Sequence, residues 1–312
     1  MSEVGRRPEF VVVGELMTDV VASLPGPLRE GTDTPAHVLV VGGGAGANTA
    51  AWLAHDGNPT TFVARLGDDL LGRAARAELE AAGVVCRVAL DRTRPTGTCV
   101  VLVGADGERT MIPDTGANAG LTPQDLPDEL FAAGRHLHVS GYTLMVDGSR
   151  MAGLAALDSA RLRGMTRSVD VASAGPLADT GVDRFLGWVS GVDVLFANES
   201  EAAFLAGLPE PHHAAELAAS LDAASEAADV LAPHVGTVVI KLGARGALAR
   251  GSDGAVVHAP GIAVDVVDTT GAGDAFAAGF LAGWCAGVGD REALDLGNRS
   301  AVRVVAQMGA RP

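Results

Sequence analysis

The chain has 312 residues, 48% of them hydrophobic and 20% charged, and a formal net charge of −15. That composition suits a globular protein with a large core, and the acidic balance argues against a nucleic-acid or anionic-membrane partner. It leaves a phosphorylated ligand open, because such a ligand needs only a local pocket of backbone donors.

Short β-branched runs alternate with longer helical patterns along the chain. Phe10–Gly14, Thr60–Ala64, His136–Ser140, Ser168–Val171, Val192–Phe196 and Thr237–Lys241 read as buried strands. Between them Ala47–His55, Leu70–Ala82, Ser149–Leu162, Ala214–Leu231, Ala272–Ala286 and Arg291–Met308 read as helices. Alternation of this kind predicts an α/β fold with a mostly parallel sheet covered on both faces, and ligands at the carboxyl ends of its strands. Two segments break the rhythm. Residues 20–41 carry Pro25, Pro27 and Pro35 between short apolar runs. Residues 87–113 read as three strands with turns at Arg94-Pro95-Thr96-Gly97 and Ala105-Asp106-Gly107. Both are expected to form a small sheet that lies over the site as a lid. No linker splits the chain, so one domain over residues 1–312 is expected.

Cys86, Cys99 and Cys285 are far apart, show no metal-ligand spacing, and read as small buried hydrophobes in a reducing, cytoplasmic compartment. His212-His213 reads as a surface turn. Phe10 to Val13 is too short for a signal peptide. The run from Gly271 to Val288 is long and apolar, but Asp274 and its glycines argue against a membrane span. It reads instead as a buried, Ala/Gly-rich helix packed closely on the sheet.

Five constellations follow the predicted strands. Gly14-Glu-Leu-Met-Thr-Asp19 puts Asp19 near the sheet's carboxyl edge, within reach of vicinal hydroxyls. Val41-Gly-Gly-Gly-Ala-Gly-Ala-Asn48 is a glycine turn opening a helix, with Asn48 able to donate to and accept from a hydroxyl. It partly fits a dinucleotide fingerprint at Gly42, Gly44 and Ala47, but the strand before it belongs to the Pro-rich segment. Asn198-Glu-Ser-Glu201 fits either a helix cap or oxygen ligands for a hydrated magnesium ion. Lys241-Leu-Gly-Ala-Arg-Gly246 fits either a hairpin turn or a backbone against which a nucleotide lies. In Asp268-Thr-Thr-Gly-Ala-Gly-Asp274, glycines crowd backbone N–H groups at a helix start, a site for an anion. Asp274 would repel phosphate there, unless it takes a proton from a nucleophile attacking that phosphate.

The order and joint occurrence of these pieces resemble the ribokinase-like (PfkB) carbohydrate kinase family over nearly the whole chain. Residues 43–48 look like its N-terminal glycine signature and residues 268–274 like its C-terminal one. Arg65-Leu-Gly-Asp-Asp69-Leu-Leu-Gly72, Asn198-Xaa-Xaa-Glu201, Gly243-Xaa-Xaa-Gly246, Glu108-Arg-Thr-Met and Gly116-Ala-Asn118 are similar to further family motifs. The resemblance implies a three-layer α/β/α sandwich with a β-sheet lid, and an ATP-dependent kinase of a small hydroxylated substrate. Asp274 would be the base. The amides of Gly271, Ala272, Gly273 and Asp274 would form the anion hole. Asp19, Gly43, Gly44 and Asn48 would hold the sugar. Asn198 and Glu201 would organise Mg2+ and phosphate, and Lys241, Gly243 and Gly246 would border ATP. Asp268 and Thr270 match part of a region where family members take a monovalent cation, which admits K+.

Where ribokinases carry Lys in the first signature, this chain has Ala45. That removes a cation near the substrate, although Arg109 in the lid is a substitute. A neutral sugar such as ribose or a ketohexose is therefore expected. A nucleoside, which needs an aromatic or apolar platform, and a non-catalytic sensor are the rivals; a dinucleotide-dependent oxidoreductase ranks below them. Glu15 is a further polar group near the substrate without an assigned role. Lid sheets in the family often pair two subunits, so a homodimer through the lid is an expected partnership.

Overall fold

The computed structural model describes residues 7–104, 109–211 and 216–312. The turn expected at Ala105-Asp106-Gly107, Glu108 of the lid motif, His212-His213 and the expected helix start at Ala214 lie outside them.

In chain order, β1 (Glu9–Val13) is followed by β2 (Met17–Ser23), β3 (His37–Gly43), α1 (Ala45–His55), β4 (Thr60–Gly67), α2 (Leu70–Ala81) and β5 (Val85–Asp91). Next come β6 (Thr98–Val103), β7 (Arg109–Asp114), β8 (Arg135–Ser140), α3 (Gly141–Met145), α4 (Arg150–Leu162) and β9 (Thr166–Asp170). Then follow α5 (Ala174–Thr180), α6 (Val182–Val189), β10 (Val194–Asn198), α7 (Glu199–Ala206), α8 (Leu217–Leu231) and β11 (Thr237–Lys241). The chain closes with β12 (Ala247–Arg250), β13 (Val256–Ala259), α9 (Ala272–Cys285) and α10 (Asp290–Val305).

Nine strands form one sheet in the order β13-β12-β11-β10-β9-β8-β1-β4-β5. It is parallel from β11 to β5, with an antiparallel hairpin, β12 and β13, on the other edge. Successive residues of a strand point to opposite faces. Val11 and Val13 therefore join Leu137, Val169 and Leu195 in one core, with α4, α6 and α8. Phe10 and Val12 join Phe62, Val194 and Phe196 in the other, with α1, α9 and α10. The result is three layers with both sheet faces covered, the ribokinase-like α/β/α arrangement.

The second sheet runs β3-β2-β6-β7. It differs from expectation at two points. Residues 87–91, expected in the lid, belong to β5 and pair with β4 in the large sheet. The lid begins earlier than residue 20, since β2 starts at Met17. The short apolar pattern of Val85–Asp91 would suit either sheet, and pairing with β4 rather than local pattern decides which one it enters.

Helix α9 is buried as expected. Its two later glycines, however, make their closest approach to α10 rather than to the sheet: a Cβ on Gly279 would sit 2.5 Å from Ser300 Oγ, and one on Gly283 would sit 2.6 Å from Leu296. The short helices α3, α5 and α6 and the β12–β13 hairpin have too few residues to show a periodic pattern, and sequence alone did not predict them; of α7 it offered only the cap at Asn198 and Glu201.

Candidate active site

The site is assembled from chain segments that cross the carboxyl ends of the large sheet. The turn after β1 packs on the start of α1 so closely that Gly14 and Gly46 meet backbone to backbone; a Cβ on Gly14 would lie 2.7 Å from Gly46 Cα. Glu15 secures this contact, its carbonyl accepting from the Ala47 N–H at 3.2 Å and its Oε1 from the Gly46 N–H at 3.3 Å. From the other side Asn118 brackets the turn, accepting from the Leu16 N–H and donating to the Leu16 carbonyl.

Asp19 lies within β2, opposite Val41 of β3 and Cys99 of β6, rather than on the edge of the large sheet. It is buried, and burial pushes its carboxyl up to about 6 against the opposing charge of Arg311. Gly43 lies flat on that carboxylate: a Cβ there would come within 2.2 Å of Asp19 Oδ2. Gly44 turns the chain into α1 with φ +94°, a left-handed conformation that favours glycine.

Asn48, in the first turn of α1, donates from Nδ2 to Asp274 Oδ2 at 2.8 Å. The two glycine signatures, 226 residues apart in sequence, thus meet through their polar residues. Gly271 has φ +77° and caps α9, which places Asp274 in the first turn of that helix. Burial pushes the Asp274 carboxyl up to about 7; Asp170 and Glu15 push the same way, while the Asn48 hydrogen bond and Lys241 oppose them.

A cavity of about 430 Å³ opens beside this pair. Of the predicted residues it brings together Asp19, Gly44, Asn48, Arg109, Thr270, Gly271 and Asp274, and Glu15 joins them. Its remaining wall is largely apolar, with Met17, Cys99, Val101, Met111, Tyr142 and Met145 prominent.

Asn198, Glu201, Lys241, Gly243 and Gly246 do not line this cavity. They sit beyond it at the carboxyl ends of β10 and β11, where Asn198 is in register with Lys241. Lys241 donates from Nζ to Asp170 Oδ2 at 2.7 Å. Burial alone would push its ammonium down, but Asp170 and Glu201 outweigh burial and hold it above its usual value. The Gly273 Cα faces this ammonium, and a Cβ there would lie 3.2 Å from Lys241 Nζ. Asn198 and Glu201 form a reciprocal capping box, with both carboxylate oxygens of Glu201 accepting from Asn198. Burial raises the Glu201 carboxyl, against the pull of Lys241. The hairpin reading of residues 241–246 holds for Gly246, whose Cβ would strike the Ala259 carbonyl at 2.0 Å; around Gly243 the space is open.

Arg109 of β7 reaches from the lid to the second signature, donating to Asp268 Oδ1 at 2.6 Å and Thr269 Oγ1 at 2.9 Å. The Thr270 and Gly309 N–H groups also donate to Asp268. Burial pushes the Asp268 carboxyl up, but these donors and Arg109 outweigh it and hold it low. The Arg65–Gly72 motif serves a different end: Asp69 caps α2 at the Gly72 N–H and accepts from the Thr96 N–H and hydroxyl, tying down the loop before β6.

Sequence reasoning missed Asp170 and Arg311. Asp170 is the last residue but one of the predicted strand Ser168–Val171 and ends the observed β9, beside the Asn198 strand, and an acid at that edge was the available signal. Arg311 had none, since it arrives from beyond α10. Among the described residues no helix is long and apolar enough to cross a membrane.

The sequence pattern of pfkB family carbohydrate kinases matches residues 7–312. The chain is 34% identical to a fructokinase of Klebsiella pneumoniae, over 81% of its length and 80% of that protein's. It is 33% identical to an ATP-dependent ribose-1-phosphate kinase of Halopiger xanaduensis, over 86% and 82%. Among solved structures it is similar to the adenosine kinase of Sinorhizobium meliloti, with a TM-score of 0.85, 25% identity, and 98% and 96% of the two chains covered. With a match over nearly all of its length, two glycine turns joined at Asn48 and Asp274, and a lid over the cavity between them, the chain belongs to the pfkB family of carbohydrate kinases.

Proposed function

We propose that this kinase transfers the γ-phosphoryl group of ATP to a hydroxyl of a small sugar, in the manner of a ribokinase or fructokinase. The observation that carries the reading is Asp274: a buried carboxyl in the first turn of α9, facing a cavity, with its proton affinity raised to about 7. A general base works best when its pKa lies near the working pH. The substrate hydroxyl gives its proton to Asp274 as its oxygen bonds to the γ-phosphorus, and the bond to the β-phosphate oxygen breaks to leave ADP. The amides of Gly271 to Asp274 meet the charge of the transferred group at the helix start. Asp19, Gly43, Gly44 and Asn48 hold the sugar. Arg109 binds substrate or closes the lid on it.

The nucleotide reading rests on the strand-end row. Gly243 leaves open space for a ligand, and Lys241 supplies positive charge beside Gly273. Asn198 and Glu201 stand on the same row, and because the Glu201 oxygens are engaged with Asn198, they would meet Mg2+ through water. Magnesium, when bound, neutralises phosphate charge. Asp268 and Thr270 are the candidates for K+, in competition with Arg109 for the Asp268 carboxylate.

A second substrate reading, a nucleoside, is favoured by one observation: the apolar stretch of cavity wall at Met17, Val101, Met111, Tyr142 and Met145, which suits a base. A homodimer through the lid is supported by the outer face of the small sheet, where Val38, Val40, Val100 and Ile112 are exposed. That face presents an apolar surface of the kind that pairs with a second copy. Sedimentation of Val40→Glu as a monomer beside a dimeric parent would support it. A cytoplasmic location is supported by three cysteines outside any disulfide.

ADP release over a panel of neutral sugars, phosphosugars and nucleosides, with Mg2+ and with or without K+, tests the function. Turnover of a neutral sugar is expected. Turnover confined to nucleosides selects the second reading, and none on any acceptor leaves a sensor.

A further inference from the structure

The segment after α10 runs back between the two glycine turns and touches both. The Gly309 N–H donates to Asp268, the Ala310 carbonyl accepts from Trp52 Nε1 of α1 at 2.9 Å, and Ala310 packs under Gly271. Arg311 then turns inward, its side chain only 7% exposed. Its three donors have fixed partners: Nε to Asn48 Oδ1 at 3.2 Å, Nη2 to the Gly43 carbonyl at 2.7 Å, and Nη1 to Glu78 Oε1 at 3.0 Å. Gly42 makes room for this guanidinium, since a Cβ there would fall 2.1 Å from Nη1.

A guanidinium only donates, so it can accept nothing from the amide of Asn48. It therefore selects one of the two ways that amide can face. With Oδ1 turned to Arg311, Nδ2 is turned to Asp274. Without Arg311 the amide is free to flip once Asp274 is protonated, its oxygen then accepting from the carboxyl O–H, which favours the protonated form.

We propose that Arg311 is a positioning residue, which acts through Asn48 to hold the Asp274 carboxylate in place. Arg311 is not among the residues that line the cavity. Asp274 is faced by Asn48 of α1, Asp170 at the end of β9, Lys241 at the end of β11, Glu15 from the turn after β1 and, more remotely, Tyr142 of α3. Arg311 is faced by Glu78 of α2, Asp19 of β2 and Cys86 of β5. Among the described residues Asn48 alone connects the two sets by hydrogen bonds. The catalytic consequence rests on Asp274 being the base; the positional one does not.

The test reads the Asp274 carboxyl directly, by carbon NMR of protein labelled at aspartate Cγ, with Asp274→Asn to assign the signal. In Arg311→Met and in Arg311→Ala the titration midpoint should rise by about one pH unit, the scale of losing a hydrogen bond to a charged group. In an Asn48→Ala background the same substitutions should add nothing, and Arg311→Lys should move the midpoint back toward the parent value. A midpoint unmoved in both variants, or an equal shift with and without Asn48, overturns the proposal. Failure of both variants to fold also overturns it, since Arg311 would then be a structural requirement. Turnover separates this from the base assignment: an active Asp274→Asn ends the base reading whatever the NMR shows. With that reading intact, the midpoint shift predicts a kcat at pH 7 about fivefold lower, with KM for ATP unchanged.

Discussion

In the first glycine turn, a Cβ on Gly42, Gly43, Gly44 or Gly46 would run into Arg311, the Asp19 carboxylate, the Glu15 carbonyl or Gly14. In the second, Gly271 is held against Ala310 with φ +77°, whereas a Cβ on Gly273 would press on the end of Lys241, at 3.2 Å. The first turn uses glycine to let the protein close on itself. The second needs it at one position for the same reason and at another sets the helix start, with its backbone N–H groups, beside an ammonium. Two stretches that look alike in sequence thus split into a packed joint and an open cradle.

The comparison can be sharpened by substitution. The largest effect is expected at the open cradle's acid: Asp274→Asn should lower kcat by roughly 10²–10⁴-fold, the range for loss of a general base, with nucleotide binding largely kept. Near wild-type turnover in an ADP-release assay would sink the assignment. Next, Lys241→Met should cost about 3–5 kcal/mol in chemical denaturation, because it strands Asp170 in a buried setting. A loss near zero would mean that Asp170 finds a new partner. Gly43→Ala should destabilise by about 1–3 kcal/mol and impair turnover, since the methyl group must displace Asp19; a tolerated Gly43→Ala would break the contrast between the turns.

The same contrast has a pH signature. The folded Asp274 carboxyl binds its proton more tightly than an unfolded one, so folding carries a penalty that grows as pH rises from about 4 to about 7. Asp19, raised to about 6, adds to it. Asp274→Asn should therefore melt higher than the parent at pH 8, with the gain fading by pH 4, while turnover of the parent climbs through pH 7 as the base ionises. The smallest effect is expected at Gly273→Ala, with stability within about 0.5 kcal/mol of the parent and only a modest rise in KM for ATP, because Lys241 has to shift only slightly within its ion pair with Asp170.

The sequence made the large sheet legible because its strands are buried on both faces, and runs such as Thr237–Lys241 leave little choice of structure. The lid was legible as a break in rhythm, but not its boundary at β5, because a β-branched run does not say which sheet it will join. The glycine turns and Asp274 stood out because left-handed backbone and close approach admit few residues. Asp170 and Arg311 did not, since an acid at a strand end and an arginine after a helix are common residues in common places. What sets them apart is contact with Lys241 and Asn48, and contacts between distant segments are not written in local pattern.

The Gly14–Gly46 contact also bears on how this site tolerates change. No side chain separates β1 from α1 there, so the distance from the sheet to Asn48 is set by two backbones and has no adjustable part. Cavity-wall residues such as Met111 and Met145 take no part in that contact. A chain built this way can alter which acceptor it admits while the separation of Asn48 and Asp274 stays as a fixed gauge.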